Sequence, residues 1–194
     1  EALELIHKEM YSYFRQEISE IISYLLAHLQ LKTMPLGEDV LPGLELYGCY
    51  TREEIFTLAG RQTEARKMQG SVTGVFNLSE CNATLLFVTL NKSDKDFSPS
   101  TQYNDYLINE HYFHWQSQNT DSHQNNGGQR YTKQADTQNK IILFVREEKK
   151  DGYGNTCPFH CFGLVEYMSS HDDFPMNITW KLQQPAMAQY VKAI

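Results

Sequence analysis

Two hydrophobic periods divide the chain. Over residues 2–31 apolar side chains recur at steps of three and four, and charged residues lie mostly between them. This spacing predicts one amphipathic helix, which Pro35 and Gly37 would end. From about residue 72 the apolar positions instead form short continuous or alternating runs, which are typical of β strands. The predicted strands cover residues 74–78, 83–90, 140–147, 159–170 and 176–182.

Two segments lack such a period. Residues 35–48 contain two prolines and three glycines, which predicts a loop or hinge. Residues 91–137 are rich in polar side chains, and a polar connection of that length between strands is usually a functional loop or a flap. In addition, Thr51 and Glu54 have the spacing of a helix capping box, which predicts a short helix over residues 50–60.

These patterns predict an α+β fold. A helical lead-in and hinge over residues 1–48 would precede a β-rich domain over residues 49–194, with the long polar loop at 91–137. Two predicted strands are almost continuously apolar, as in strands that are buried on both faces or closed into a barrel. Because the strand–helix alternation of a parallel sheet is absent, we expect a mainly antiparallel curved sheet or a small β-barrel.

Composition is typical of a soluble globular domain. The 194 residues are 41% hydrophobic and 21% charged, and no apolar run approaches the roughly 20 residues that cross a bilayer. The net charge of −7 opposes indiscriminate binding to nucleic acid, because phosphate contacts supply most non-specific affinity. The four cysteines lack the spacing of a disulfide framework, so we expect a cytoplasmic protein. The chain begins at Glu1, which suggests a piece of a longer protein.

The stretch HYFHWQSQNT, residues 111–120, combines aromatic, histidine and amide side chains. If it is extended, alternation puts Phe113 and Trp115 on one side and Gln116 and Gln118 on the other. Aromatic rings stack on bases, and glutamine pairs with the edge of adenine. The stretch therefore predicts either a surface that reads a base or a strand with an aromatic core face and a solvated glutamine face.

Basic residues elsewhere in the chain supply donors suited to phosphate, and one further tyrosine could stack. The candidate nucleic-acid-binding residues are Trp115, Gln116, Gln118, Arg130, Tyr131, Arg146, Lys149 and Lys150.

The strand end REEKK offers a catalytic alternative. A Glu-x-Lys pair at a strand end, here Glu147 with Lys149 or Glu148 with Lys150, is half of a pattern found in metal-dependent nucleases. The carboxylate would bind Mg²⁺ and the lysine would orient the attacking water. The pattern also requires an aspartate from another strand. The available aspartates are Asp94, Asp96, Asp105 and Asp136.

The sequence gives little support to other cofactor-binding or catalytic motifs. CPFHC brings Cys157, His160 and Cys161 close together, but structural zinc needs a second pair of ligands. The chain contains no P-loop, no dinucleotide-binding glycine motif and no G-x-S-x-G elbow. We therefore expect no bound cofactor and a domain that is not itself the catalytic part of its parent protein.

Several ordered blocks resemble a bacterial C-terminal domain of unknown function. The blocks are YTREEI (50–55), LLFVTLNKSDKDFSPSTQYNDY (85–106), FHWQSQ (113–118), GQRY (128–131), LFVREEKKDGYG (143–154), FHCFG (159–163) and PMNITWKL (175–182). The resemblance covers about residues 45–190. This chain has PFHCFG where the family shows PYTFLG, which argues further against a zinc site.

In that family the domain follows a DEAD/DEAH-type superfamily 2 helicase, often with a phospholipase D-like nuclease domain and in some relatives an HNH nuclease. The resemblance implies a DNA-binding or specificity module of a restriction or phage-defence protein, with DNA and the helicase and nuclease domains as partners. By analogy of fold alone, a strand-rich core with a polar flap is similar to the PUA/SRA-like barrels that read modified bases. The alternatives are the nuclease described above and a module that docks onto the helicase core.

Overall fold

The computed structural model describes residues 12–28, 33–37, 41–61, 73–91 and 104–191. The chain separates into two compact units, Glu1–Thr33 and Met34–Ile194. The first unit contains helix α1 (Ser12–His28), which confirms the predicted amphipathic helix over the described part of that segment. In the described ranges, no helix combines the length and the apolar character that are needed to pass through a membrane.

The second unit contains short helices and ten strands in its described part. The strands are β1 (Met34–Pro35), β2 (Glu45–Leu46), β3 (Cys49–Tyr50), β4 (Val75–Leu78), β5 (Ala83–Thr89), β6 (Tyr106–Asn109), β7 (Tyr112–Gln116), β8 (Lys140–Arg146), β9 (Phe159–His171) and β10 (Asn177–Leu182). The helices are α2 (Arg52–Leu58), α3 (Asn126–Thr132) and α4 (Gln134–Thr137), with 3₁₀ turns at Ser79–Cys81 and Ala188–Tyr190. The predicted α+β class is confirmed.

Eight of these strands form one sheet. Seven follow the order β4-β5-β8-β9-β10-β7-β6, and β3 also pairs with β9. The pairs are antiparallel except for β5 with β8, which run parallel from Ala83 opposite Lys140 to Thr89 opposite Arg146. The described strands leave the sheet open, with β4 and β6 at its two ends, so the open sheet and not the barrel is observed. The mainly antiparallel pairing is confirmed, and the parallel pair is an addition to it.

Strands β5 and β8 are buried on both faces, because each side of the sheet has its own hydrophobic core. On one side, the Trp180 face, Leu86 and Leu143 pack in the same core as Trp180. On the other side, the Phe144 face, Leu85 packs in the same core as Phe144. Alternate residues of each strand therefore enter opposite cores, which explains why both strands are almost continuously apolar.

The segment before the sheet covers the Phe144 face. Leu41 and Leu44 are buried in this core, and α2 adds Ile55 and Phe56. The described residues between 35 and 48 are therefore a packed part of the second unit. Their prolines and glycines set where the chain turns, but the leucines between them decide that the segment is buried.

The capping box of α2 is present as predicted. The Thr51 hydroxyl accepts the backbone N–H of Glu54 at 3.2 Å, and the Glu54 carboxylate accepts the backbone N–H of Thr51 at 2.7 Å. These hydrogen bonds satisfy donors at the start of the helix that have no partner within it. They also lower the pKa of Glu54.

The polar segment 91–137 is not a single loop in its described part. It contains β6 and β7, which form an antiparallel hairpin, and then α3 and α4. The side chain of Asn125 accepts the backbone N–H of Gly128 and thereby caps α3. The polar composition reflects the exposed sides of these short elements, while Phe113 and Trp115 supply the buried side.

The C-terminal residues close the Trp180 face. Met187 and Tyr190 pack in this core, and the Tyr190 hydroxyl is hydrogen-bonded to Nδ1 of His160 at 2.5 Å. Burial lowers the pKa of His160, and the nearby carboxylate of Glu147 opposes this change in part. The neutral form of His160 is therefore the one that the fold favours.

We expect Leu44→Ala to lower the free energy of unfolding by about 2–4 kcal/mol, because it removes a buried side chain and leaves a cavity. Urea unfolding followed by circular dichroism measures this change. Ile108→Ala makes the same kind of truncation at a side chain that is 39% exposed, and should cost under about 1 kcal/mol. Equal effects of the two variants would contradict the packing of residues 35–48.

The His160 pKa predicts a pH dependence of stability. The unfolded side chain titrates near its ordinary value of about 6.5, and the folded pKa is lower, so the unfolded state binds the extra proton. The neutral His160 therefore stabilises the folded chain fully above about pH 6.5, and this stabilisation is lost as pH falls through the folded pKa. In urea unfolding between pH 8 and pH 5, the free energy of unfolding of the His160→Gln variant should therefore fall less than that of the unsubstituted chain. An identical pH slope for His160→Gln and the unsubstituted chain would contradict this assignment.

Candidate functional site

Three aromatic residues from distant parts of the sequence meet in the Trp180 face. The ring of Tyr131 on α3 lies 5.2 Å from that of Trp115 on β7 and 6.0 Å from that of Trp180 on β10, centroid to centroid. Trp115 is only 4% exposed and Tyr131 only 1%. Neither ring has a face open to a base, so the predicted stacking role fits neither residue. Because β7 pairs with β10, its aromatic side turns toward the core that contains Trp180.

The hydroxyl of Tyr131 reaches from this cluster toward the surface. It donates a hydrogen bond to Oδ2 of Asp121 at 3.3 Å. Burial raises the pKa of the Asp121 carboxyl, although the hydrogen bond from Tyr131 and the nearby Arg130 act in the opposite direction. Arg130, a predicted phosphate ligand, is half-buried on α3, and its charge acts on this carboxylate.

The two predicted glutamines differ in their availability. Gln116 accepts the backbone N–H of Asn104 at 2.7 Å and donates to Oδ1 of Asn177 at 2.9 Å. Its amide therefore joins β7 to β10 and to the residues before β6. The side-chain amide of Gln118 has no hydrogen-bond partner within the described ranges, and the residue is half-buried. Of the two, Gln118 is the better placed to meet a ligand.

The predicted glutamines and lysines lie at opposite ends of β9. Gln116 pairs with Asn177, which in turn pairs with His171 at the end of β9. The carbonyl of Lys149 accepts the N–H of Cys157, which precedes the start of β9. Since β9 has 13 residues, up to about 40 Å of strand separates these ends at a rise of about 3.3 Å per residue. The eight predicted residues therefore do not form one site.

Arg146 has a structural environment. It is 8% exposed, and its guanidinium donates to the hydroxyl of Thr89 at 3.0 Å and to the carbonyl of Cys157 at 2.9 Å. The guanidinium carbon of Arg146, Cζ, also lies 4.2 Å from the centre of the Phe159 ring, in a cation–π contact. These contacts fix the base of the connection between β8 and β9. The position does not fit the predicted role as a phosphate ligand.

That connection, residues 147–158, forms a turn that we call the Tyr153 hairpin. The Asp151 carboxylate accepts the backbone N–H groups of Tyr153 and Asn155 at 2.9 and 2.8 Å, and the side-chain amide of Asn155 at 3.0 Å. Lys150 and Thr156 form a β-bridge behind the turn. The hydrogen bonds lower the pKa of Asp151. Tyr153 stands at the tip with 94% of its surface exposed.

The predicted nuclease residues do not assemble a metal site in the described part of the chain. Glu147 is exposed and Lys149 is half-buried, but Asp105 is buried and accepts a backbone N–H of β7, while Asp136 is exposed on α4. The described residues contain no group of three or more His, Cys, Asp or Glu that could hold a metal ion. The other two candidates, Asp94 and Asp96, lie outside the described residues.

The cysteine and histidine block CPFHC is divided between two environments. Cys161 is buried in the Phe144 face, and burial raises the pKa of its thiol to about 12. Because a thiol must lose its proton to bind zinc, this position is unsuited to a metal. His160 instead contacts Tyr190, as described above.

A polar network that the sequence did not predict joins the loop before α3 to the end of β9. Nδ1 of His123 lies 2.8 Å from Oδ1 of Asp173, and the backbone N–H of His123 donates to the same oxygen at 2.7 Å. Nε2 of His123 lies 2.7 Å from the hydroxyl of Ser170, which is also 2.8 Å from the hydroxyl of Tyr167. Both hydrogen bonds from His123 lower the pKa of Asp173.

The proton positions in this network follow from the acceptors present. The ionised Asp173 can only accept, which assigns the Nδ1–H tautomer to an imidazole that carries one proton, with Nε2 accepting from Ser170. Tyr167 then donates to the Ser170 oxygen. The sequence hints at such chemistry only in the polar run SSHDD at 169–173, because His123 is 47 residues from Ser170.

Comparison with known proteins gives one family. Residues 44–193 match the family described as Domain of unknown function (DUF3427), which agrees with the range over which the resemblance was expected. A search of curated proteins found no match to the chain. Since the match spans well over half of the sequence, the chain belongs to the DUF3427 family.

Proposed function

We propose that this chain is the DNA-binding specificity module of a bacterial helicase–nuclease protein of the restriction or phage-defence type. The parent architecture is the one implied by the resemblance of the sequence blocks to domains that follow superfamily 2 helicases. The observation that carries the proposal is the Tyr153 hairpin, which presents an exposed aromatic ring together with two of the predicted phosphate ligands, Lys149 and Lys150.

The geometry of the hairpin favours contact with an unpaired or unstacked base. Stacking of a base on an aromatic side chain contributes about 1–3 kcal/mol. The hydrogen bonds to Asp151 hold the backbone of the turn in place before binding, which reduces the entropy lost on association. Tyr153 thereby takes the stacking role that was predicted for Trp115 and Tyr131.

The charges of the hairpin indicate modest electrostatic affinity. Lys149 and Lys150 follow two acidic residues, Glu147 and Glu148, so about two phosphate contacts are the most that this element would add. With about two contacts, the logarithm of the binding constant should fall with the logarithm of salt concentration at a slope of about −1.4 for single strands and about −1.8 for duplex DNA. The module would thus add selectivity to a helicase that supplies most of the affinity for DNA.

Binding of the 194-residue chain to fluorescent oligonucleotides tests the proposal. Anisotropy should detect binding at low salt to single-stranded DNA or to a duplex with an unpaired or modified base, more strongly than to a plain duplex. Tyr153→Ala should weaken this binding about 5-fold to 100-fold through the loss of stacking. Lys149→Ala with Lys150→Ala should weaken it and reduce the salt slope by about 1.4 to 1.8.

A matched double variant controls for the change in net charge. Lys133, directly before α4, and Lys181, on β10, are both exposed and lie outside the hairpin. The Lys133→Ala, Lys181→Ala double variant should therefore leave binding nearly unchanged. Equal weakening by the two double variants would contradict a site at the hairpin. A chain that binds no DNA at low salt but binds the helicase core would replace this proposal with a docking role.

A further inference from the structure

The polar network at the end of β9 has the order of contacts of a nucleophilic triad. The Asp173 carboxylate contacts Nδ1 of His123, and Nε2 contacts the Ser170 hydroxyl, at 2.8 and 2.7 Å. From this order we propose that Ser170 is a nucleophile, that His123 is its general base and that Asp173 orients the imidazole. The proposed substrates are carboxylic esters that transfer their acyl group to a serine.

The orientation of His123 is fixed from two sides. One oxygen of Asp173 accepts both the ring N–H and the backbone N–H of His123, so rotation of the imidazole away from Ser170 would break the first bond. A positioned acceptor at Nδ1 keeps the basic nitrogen, Nε2, toward the nucleophile. This is the function that a buried or constrained carboxylate serves in acyl-transfer sites.

The turn that carries Asp173 has an unusual backbone. Asp172 and Phe174, on either side of it, both have φ of 58°, a left-handed conformation that is costly for a bulky residue such as Phe. Further hydrogen bonds hold the turn in this state, from Asn177 to the Asp172 carboxylate at 3.0 Å and from the Phe174 N–H to the carbonyl of Asp121 at 3.0 Å. Strain maintained in this way is common where a side chain must be aimed.

The nucleophile itself is held by a second polar side chain. Tyr167 contacts the Ser170 oxygen, and the backbone N–H of Tyr167 donates to the amide of Gln134 on α4 at 2.7 Å. Gln134 also donates to the carbonyl of Val165 at 2.7 Å, so its amide extends the sheet edge where β8 has ended. These hydrogen bonds hold β9 as far as Tyr167, beside the register shift that separates Tyr167 from Ser169 in the pairing with β10.

The three groups are accessible to a reactant. The side chains of His123 and Asp173 are 35% and 41% exposed, and Ser170 is half-buried. Phe174 follows Asp173 in the chain and is 62% exposed, which provides an apolar surface beside the triad. A small ester with an apolar acyl or alcohol group suits this combination.

The proposed reaction conserves atoms and electrons. The Ser170 oxygen forms a bond to the ester carbonyl carbon, while the hydroxyl proton moves to Nε2 of His123. The bond from that carbon to the alcohol oxygen breaks, and the alcohol leaves with the proton from Nε2. Water then attacks the acyl carbon and gives its proton to Nε2, the bond from that carbon to the Ser170 oxygen breaks, and Nε2 returns the proton to the Ser170 oxygen. The products are a carboxylic acid and an alcohol.

Two probes test this proposal on the 194-residue chain. p-Nitrophenyl acetate should give an early burst of p-nitrophenolate, and a fluorophosphonate should form an adduct that peptide mass mapping places on Ser170. Ser170→Ala should abolish both signals. His123→Gln should slow adduct formation about 10²-fold to 10⁴-fold, because the general base is lost. Asp173→Asn should also slow it, by at least about 10²-fold, because the imidazole then favours the wrong tautomer.

The neighbouring serine supplies the matched control. Ser169 is exposed on the same strand, and Ser169→Ala should label as fast as the unsubstituted chain. Thermal unfolding confirms that each variant is folded before its rate is compared. The absence of any Ser170 adduct in the folded, unsubstituted chain would overturn the proposal, as would equal labelling rates for that chain and a folded His123→Gln variant.

Discussion

Burial of β5 and β8 on both faces is the constraint on which the rest of the structure depends. Each of these strands has seven residues and is almost wholly apolar, so other elements must shield both faces of the sheet from water. The residues before the sheet and α2 cover the Phe144 face. The pair β7 and β10, together with α3 and the last 3₁₀ turn, completes the Trp180 face.

The aromatic cluster of the Trp180 face connects the packing of the core to the surface network around His123. Trp115, Tyr131 and Trp180 lock β7, α3 and β10 together, so the chain that connects these elements must leave the core at one end of β9. His123 lies on the connection from β7 to α3 and Asp173 on the turn from β9 to β10, and their side chains are in contact at this end of β9. The Tyr153 hairpin occupies the other end of the same strand. One long strand therefore separates the two surfaces that carry the proposed chemistry.

Local patterns predicted five of the ten described strands and the capping box, because both depend on residues that are near one another in sequence. Alternation also put Phe113 and Trp115 on one side of β7, but only the pairing with β10 determines that this side is the core. The burial of Arg146 depends likewise on the distant ring of Phe159. Contacts such as His123 with Ser170 join segments 47 residues apart, and no local period encodes them. The turn-rich composition of residues 35–48 predicts bends, but it does not predict that Leu41 and Leu44 are buried.

The parallel pairing of β5 with β8 has a consequence for how the chain folds. Ala83 pairs with Lys140, so the two strands meet only when a loop of some 57 residues has closed. Closing a loop of that length costs about 3.6 kcal/mol of chain entropy beyond a constant, and such non-local pairing slows folding. On the ribosome, β5 emerges well before β8 exists, and its apolar edge is open to other chains during that interval. The hairpin of β4 and β5 forms from neighbouring residues and covers one edge of β5. The other edge of β5 stays uncovered until β8 has been synthesised.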